Sequence, residues 1–142
     1  MADLIIQTYQ EILQTNGEIE LIDLTNKVMN YLAESKITDG TVHISCPGST
    51  SAVITTEFEP GVVKDTKDLL NKLIPKGIGY EHDKIDNNAH SHLRASFLGA
   101  NQTIPIKENR LLLGTWQQIV FVELDVRPRT RTVIFQFMGI IK

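Results

Sequence analysis

Gln118-Ile119-Val120-Phe121-Val122-Glu123-Leu124 and Thr132-Val133-Ile134-Phe135-Gln136-Phe137-Met138-Gly139-Ile140-Ile141 are the two stretches on which the fold turns. Both are rich in β-branched and aromatic side chains, which suit a pleated backbone. Successive residues of a strand point to opposite faces. Ile119 and Phe121 therefore oppose Val120 and Val122, and Phe135 and Phe137 oppose Ile134 and Met138. Strands that are apolar on both sides need cover on both sides. Part of that cover is expected from another copy of the chain. The link between the two, Val126-Arg127-Pro128-Arg129-Thr130, is too short for a parallel crossover, which takes a dozen residues or more.

Working outward, Leu4–Tyr9 and Glu18–Leu21 read as strands around the turn signal Asn16-Gly17. Asp23 or Thr25 is placed to cap a helix running to about Glu34, with Leu24, Val28, Tyr31 and Leu32 at helical spacing. Asp39-Gly40 reads as a turn, Thr41–Cys46 as an alternating strand and Ser51–Phe58 as the next. Val62–Leu73 has a helical pattern closed by Pro75, and 77–87 reads as a loop. Asn88–Leu98 is a short helix with Gly99 past its end. Ile104–Ile106 and Arg110–Leu113 form a hairpin around Glu108-Asn109. The sum is a single domain over 1–142 of α+β class: a mostly antiparallel sheet or sandwich with three inserted helices.

The 142 residues suffice for a real core, and 42% hydrophobic with 22% charged residues is ordinary for a globular chain. A net charge of −3 gives no broad basic footprint, so nucleic acid and anionic membrane are not expected partners. No apolar run approaches about 18 residues, and no span is expected. The N-terminus does not read as a signal peptide. The lone cysteine, Cys46, cannot form an internal disulfide. The expected compartment is the cytoplasm.

The densest polar segment runs from Tyr80 to His92 and holds His82, His90 and His92, three of the four histidines. Imidazole offers a neutral nitrogen lone pair to zinc-like metals, and Asp83 and Asp86 stand near as further ligands or orienters. Residues two apart on a helix diverge by roughly 200°, so a regular helix from Asn88 splits His90 from His92. Solvated loop histidines are the plain alternative. Pro47-Gly48-Ser49-Thr50-Ser51-Ala52 follows a strand, and its N–H groups and hydroxyls suit a phosphate or carboxylate; it equally makes a simple strand-to-strand turn. It lacks the lysine and glycines of a Walker loop. Arg127, Arg129 and Arg131 share one face if the chain is extended, where they would grip an anion or pair with Glu123 or Asp125. Trp116, between Gly114-Thr115 and Gln117-Gln118, is placed either to stack on a flat ligand or to fill core. Glu57 is a candidate general base at a strand end.

Taken together, Ser49-Thr50-Ser51-Ala52 with Glu57, Tyr80-Glu81-His82-Asp83, Asn88-Ala89-His90-Ser91-His92-Leu93, Ala95-Ser96-Phe97-Leu98-Gly99, Leu113-Gly114-Thr115-Trp116-Gln117 and Arg129-Thr130-Arg131 resemble the YjbQ-like family over nearly the whole chain. The resemblance implies a small α+β protein assembled as a homotrimer, with a site in clefts between subunits. It implies an activity like that of secondary thiamine-phosphate synthases, which join a pyrimidine-methyl diphosphate to a thiazole phosphate with loss of diphosphate. Such chemistry calls for an anion clamp, usually a divalent metal, zinc or magnesium here, and a dry pocket. The roles implied are phosphate clamping by Arg129 and Arg131, donors from Ser49 and Thr50, and ring contact by Trp116 and Gln117. His82 and His92 would act as metal ligands or acids, with His90 as a further metal ligand and Glu57 as base. Many relatives carry a histidine where this sequence has Ser49, which leaves any metal to His82, His90 and His92. Two other readings are a trimer that binds metal or a small phosphorylated metabolite without turnover, and a metal-dependent hydrolase using Glu57 or Asp83 beside a metal-bound water.

Overall fold

The computed structural model describes residues 2–142. Among them the chain forms β1 (Ile5–Gln14), β2 (Glu20–Asp23), α1 (Thr25–Ser35), β3 (Asp39–Ser45), β4 (Ser51–Thr56), α2 (Pro60–Leu73), α3 (Ala89–Leu98), β5 (Asn101–Lys107), β6 (Arg110–Leu111), β7 (Gln118–Glu123) and β8 (Thr130–Ile140), with a short 3-10 helix at Glu81–Lys84. The fold is α+β, with two antiparallel sheets. One is five-stranded in the order β1-β8-β3-β5-β6 and the other three-stranded in the order β2-β7-β4.

The two decisive stretches lie in different sheets. β8 sits between β1 and β3, and β7 between β2 and β4. Val133, Phe135 and Phe137 of β8 are fully buried with Ile119 and Phe121 of β7 and with Val28 and Leu32 of α1 in one core. The other face of β7, Val120 and Val122, joins Leu70 of α2 and Ala95 of α3 in a second core. β7 is thus covered on both faces within the chain. The outer face of β8 is not: Met138 is 45% exposed, and Ile6 and Ile12 on neighbouring β1 are 60% and 55% exposed.

Several boundaries differ from the sequence reading, each for a physical reason. β1 runs on to Gln14 because Glu11, the charge that interrupts its pattern, takes hydrogen bonds from Lys27 Nζ and Tyr31 Oη of α1. Asn16-Gly17 is not a hairpin turn, since β1 and β2 lie in different sheets. It is a crossing, anchored by Glu18 N donating to Asp125 O at 2.7 Å. Asp39-Gly40 is not a turn either; it opens β3. Gly40 pairs with Gly139 of β8, and a Cβ on Gly40 would stand 2.1 Å from Met138 O. Two glycines let the strands approach where any side chain would part them. β4 stops at Thr56, because Glu59 caps α2 by accepting from Gly61 N and Val62 N, both at 2.9 Å, ahead of Pro60 at the first helical position. Asp23 accepts from Thr25 N at 2.9 Å at the start of α1. Glu108 and Asn109, at φ 52° and 57°, make the expected β5–β6 hairpin.

Truncation inside the first core should cost far more than truncation on the open face. Phe121→Ala is expected to lower unfolding free energy by about 3–5 kcal/mol, and Met138→Ala by less than about 1 kcal/mol. Urea denaturation of both variants checks this.

Candidate functional site

The site begins with the loop between β3 and β4. Pro47-Gly48-Ser49-Thr50 leaves β3 and returns into β4 over the edge where β7 and β8 come together. Behind it lies a buried ion pair. Glu123, the last residue of β7, and Arg131, near the start of β8, are 0% and 5% exposed in their side chains. Arg131 Nε donates to Glu123 Oε2 at 2.8 Å, and Nη2 donates to Thr50 Oγ1 at 2.8 Å and to Thr50 O at 3.2 Å. Thr15 Oγ1 donates to Glu123 Oε2 at 2.8 Å, and Asp125 N to Glu123 Oε1 at 3.0 Å. Burial works against the charge on Arg131, but the hydrogen bond and charge of Glu123 outweigh it and hold the guanidinium above its ordinary pKa. Asp125 is desolvated too, which raises its pKa. Its bonds from Val126 N and Thr50 Oγ1, with the charges of Arg129 and Arg131, reverse that and leave it lowered.

The second part of the site is the start of α3. His92 turns toward the loop, with its Nδ1 3.1 Å from Ser49 O. His82, on the 3-10 helix, stands beside it: the ring centres are 5.0 Å apart and the planes lie at 90°. His82 Nε2 is 3.1 Å from Oδ1 of Asn88, which is itself buried. Asp83 accepts from Ala89 N at 3.1 Å and so serves the start of α3. Two connected clefts open here. One, about 520 Å³, is lined by Gly48, Ser49, Ser51, His92 and Ser96 among others. The other, about 480 Å³, is lined by Tyr80, Glu81, His82, Ala89, His92 and Leu93. His92 belongs to both. Ser51 is 0% exposed, and its hydroxyl lies against the buried Cys46 thiol, whose pKa burial raises and the Ser51 hydroxyl lowers.

α3 is regular from Ala89, so His90 leaves on the other side. Its Nε2 meets Glu18 Oε2 at 2.7 Å, and the residue is 2% exposed. Glu18 also pairs with Lys76 and lies 3.7 Å from Nη1 of fully buried Arg94. Burial lowers the pKa of that guanidinium against the opposing pull of Glu18. His90 therefore anchors the helix and does not face His82 and His92. The other named residues are divided as well. β4 pairs Ser51 with Glu123 at one end and Thr56 with Gln118 at the other. Glu57, Trp116 and Gln117 lie beyond the far end, about 17 Å from the loop by strand rise. Glu57 and Gln117 are exposed, and Trp116 is 72% exposed. Arg129 is partly exposed and pairs with Asp125 Oδ2 at 3.3 Å, while Arg127 is exposed in the connecting turn. The three arginines do not form one open face.

The sequence names Ser51 as a hydroxyl donor and Glu123 as a partner for the arginines, but it gives no part in the site to Glu18, and none to Asn88 beyond opening α3. Glu18 meets His90 across 72 positions, and no local pattern records that pairing. Asn88 carried a local signal, as the residue before a helix that starts between two histidines.

A family model described as UPF0047 protein YjbQ-like matches residues 10–140. The UPF0047 protein of Archaeoglobus fulgidus is 43% identical over 122 residues, covering 86% of this chain and 94% of that one. The UPF0047 protein YugU of Bacillus subtilis is 36% identical over 131 residues, covering 89% and 96%. Among solved structures, a hypothetical protein from Aeropyrum pernix superposes with a TM-score of 0.89 at 34% identity, covering 94% of this chain and 98% of that one. A conserved YjbQ/UPF0047-family protein from Clostridium acetobutylicum gives 0.85 at 36% identity, covering 91% and 98%.

Removing one member of the buried pair should be severe. Glu123→Ala is expected to cost about 3–5 kcal/mol by urea denaturation, because Arg131 is left charged and unpaired. A second expectation concerns acid. Asp125 has a folded pKa below its unfolded one, so its contribution is complete above about pH 4 and is lost as the pH falls through the lower folded value. Unfolding midpoints measured downward from pH 5 should fall less steeply in Asp125→Asn than in the parent.

Proposed function

We propose a function on the premise that this chain belongs to the UPF0047 protein YjbQ-like family, and assign to it the binding of a small phosphorylated metabolite between the Gly48–Ser51 loop and the start of α3. The observation that carries this reading is the cleft of about 520 Å³ that Gly48, Ser49 and His92 line together. Ser49 is exposed, so its hydroxyl is open to a phosphate oxygen, one hydrogen bond of about 0.5–1.5 kcal/mol net. Ser49 and His92 line the same cleft. Gly48 leaves room behind the loop, where a Cβ would stand 3.2 Å from Arg131 Nη1. Because Glu123 neutralises Arg131, the loop N–H groups, hydroxyls and His92 do the holding, and Arg131 keeps the loop in place.

The reaction we assign is the coupling of a pyrimidine-methyl diphosphate to a thiazole phosphate. The hydroxyl-rich cleft takes a phosphate, the cleft of Tyr80, Ala89 and Leu93 takes a ring, and His92, where the two meet, gives a proton to the departing diphosphate. Trp116 and Gln117 reach this site only from another copy, because β4 and β7 hold them at the opposite end of their own chain. A homotrimer closed through the open face of β8 and β1 supplies that copy. A chain with one buried cysteine and no need of oxidation fits the cytoplasm.

Binding without turnover is the second reading. Its support is that Glu57 stands at the far end of β4 and Asp83 is engaged at the start of α3, so neither named carboxylate is free to act as a base beside His82 and His92. The same fact weighs against a metal-dependent hydrolase.

Isothermal titration with inorganic phosphate and a coupled assay with the two phosphorylated heterocycles separate these. Ser49→Ala should weaken phosphate binding by about threefold to tenfold, the size of one neutral hydrogen bond. His92→Ala should lower coupling by about a hundredfold if it is the acid. Equal rates in parent and His92→Ala leave binding alone, and no phosphate uptake by the parent removes both readings.

A further inference from the structure

We propose a second ligand site along α1, for a small monocarboxylate that is apolar in its middle and polar at its far end. The site is separate from the cleft of His82 and His92 and does not rest on the function assigned there.

A cleft of about 530 Å³ lies between α1, the β5–β6 hairpin and the chain that follows it. That size is ordinary for a small-molecule pocket. The helix sets its length. Thr25 and Ala33 both line it, and eight residues of α1 rise about 12 Å. Hydrogen bonds to the helix fix its two ends. At one end Ile119 N donates to Thr25 Oγ1 at 2.9 Å, which sets neighbouring Gln118 beside the first turn. At the other, Asn109 Nδ2 donates to Ile37 O at 2.6 Å and to Leu32 O at 3.3 Å, which sets neighbouring Arg110 beside the last turns.

The lining changes along that length. The middle is apolar. Leu32 is 2% exposed, Leu111 and Leu113 pack against the first core, and Met29, 50% exposed, gives a pliable wall. The Thr25 end offers the amides of Asn26 and Gln118. Thr25 itself is 7% exposed, and among the described residues its hydroxyl accepts from Ile119 N but donates to no acceptor. The other end is cationic. Arg110 is exposed and takes part in none of the ion pairs found among the described residues. No Asp or Glu is among the residues that line the cleft. In a chain of net charge −3, a lone guanidinium beside an apolar floor selects an anion. One guanidinium fork matches one carboxylate. A phosphate would bring a second charge, and this apolar floor has nothing to meet it.

The test is equilibrium dialysis of the full-length chain against radiolabelled 8-hydroxyoctanoate, with 1,8-octanediol as the counterpart that lacks the carboxylate. Saturable uptake of one molecule per chain is expected. Arg110→Gln should weaken it at least about tenfold, the worth of one hydrogen bond between charged groups. Ala33→Phe, which fills the cleft, should weaken it by as much. Both positions are exposed, so neither change opens the core. The diol should bind at least about tenfold more weakly than the acid. The proposal is overturned if the parent takes up no acid, if the diol binds as the acid does, or if the Arg110→Gln/Ala33→Phe double variant binds like the parent. Titration with inorganic phosphate keeps the two sites apart. Ser49→Ala should take up the acid as the parent does, and Arg110→Gln should take up phosphate as the parent does. Equal losses of the acid in Ser49→Ala and Arg110→Gln overturn a separate site. Acid uptake by a parent that takes no phosphate overturns the phosphate reading alone.

Discussion

One buried contact, Arg131 with Glu123, joins what the backbone leaves separate. Glu123 ends β7 in one sheet and Arg131 lies near the start of β8 in the other, so this pair crosses the sandwich where no hydrogen-bonded ladder can. An ion pair with so little exposure is stable only when its remaining donors and acceptors are met. Thr15, Thr50 and the backbone of Asp125 meet them. Each of these residues belongs to a segment that must turn at this end of the molecule: the exit of β1, the β3–β4 loop, and the β7–β8 link. The loop that carries Ser49 and Ser51 is therefore fixed from behind by the same charges that lock the sheets.

α3 is the second constraint. Its first turn separates two environments, with His92 on the cleft side and His90 bound to Glu18 on the other. The 3-10 helix runs parallel in purpose: His82 faces the cleft while Asp83 holds the start of α3. Residues adjacent or two apart in sequence are thus divided between presenting a site and bracing it. That division follows from helical geometry, and it is why a histidine-rich segment contributes a pair and not a triad.

The fold was largely legible because its signals are local. β7 and β8 declare themselves by alternation and β-branching, α3 by Asn88 and Gly99, and the β5–β6 hairpin by Glu108-Asn109. What was not legible depends on contacts distant in sequence. Nothing near Asn16-Gly17 says that β2 will leave the sheet of β1; the reason lies in Asp125 and Arg129, more than a hundred residues on. Gly40 reads as a turn until Gly139 is placed opposite it. In the site, the kinship of His82 and His92 was readable as composition, whereas their separation from His90 required Glu18. The arginine series was readable as charge, but only the register of β8 shows that Arg131 points inward while Arg129 stays at the rim.

The length of β4 and β7 carries one more consequence. Six paired residues act as a ruler between the Ser49–Ser51 end and the Trp116 end. Changes to the tryptophan loop leave the Ser49–Ser51 end of the same chain untouched, since within one chain the two ends are joined only by a stiff spacer. Lineages built on this scaffold are free to rebuild one end without disturbing the other, and the two ends are able to drift at independent rates.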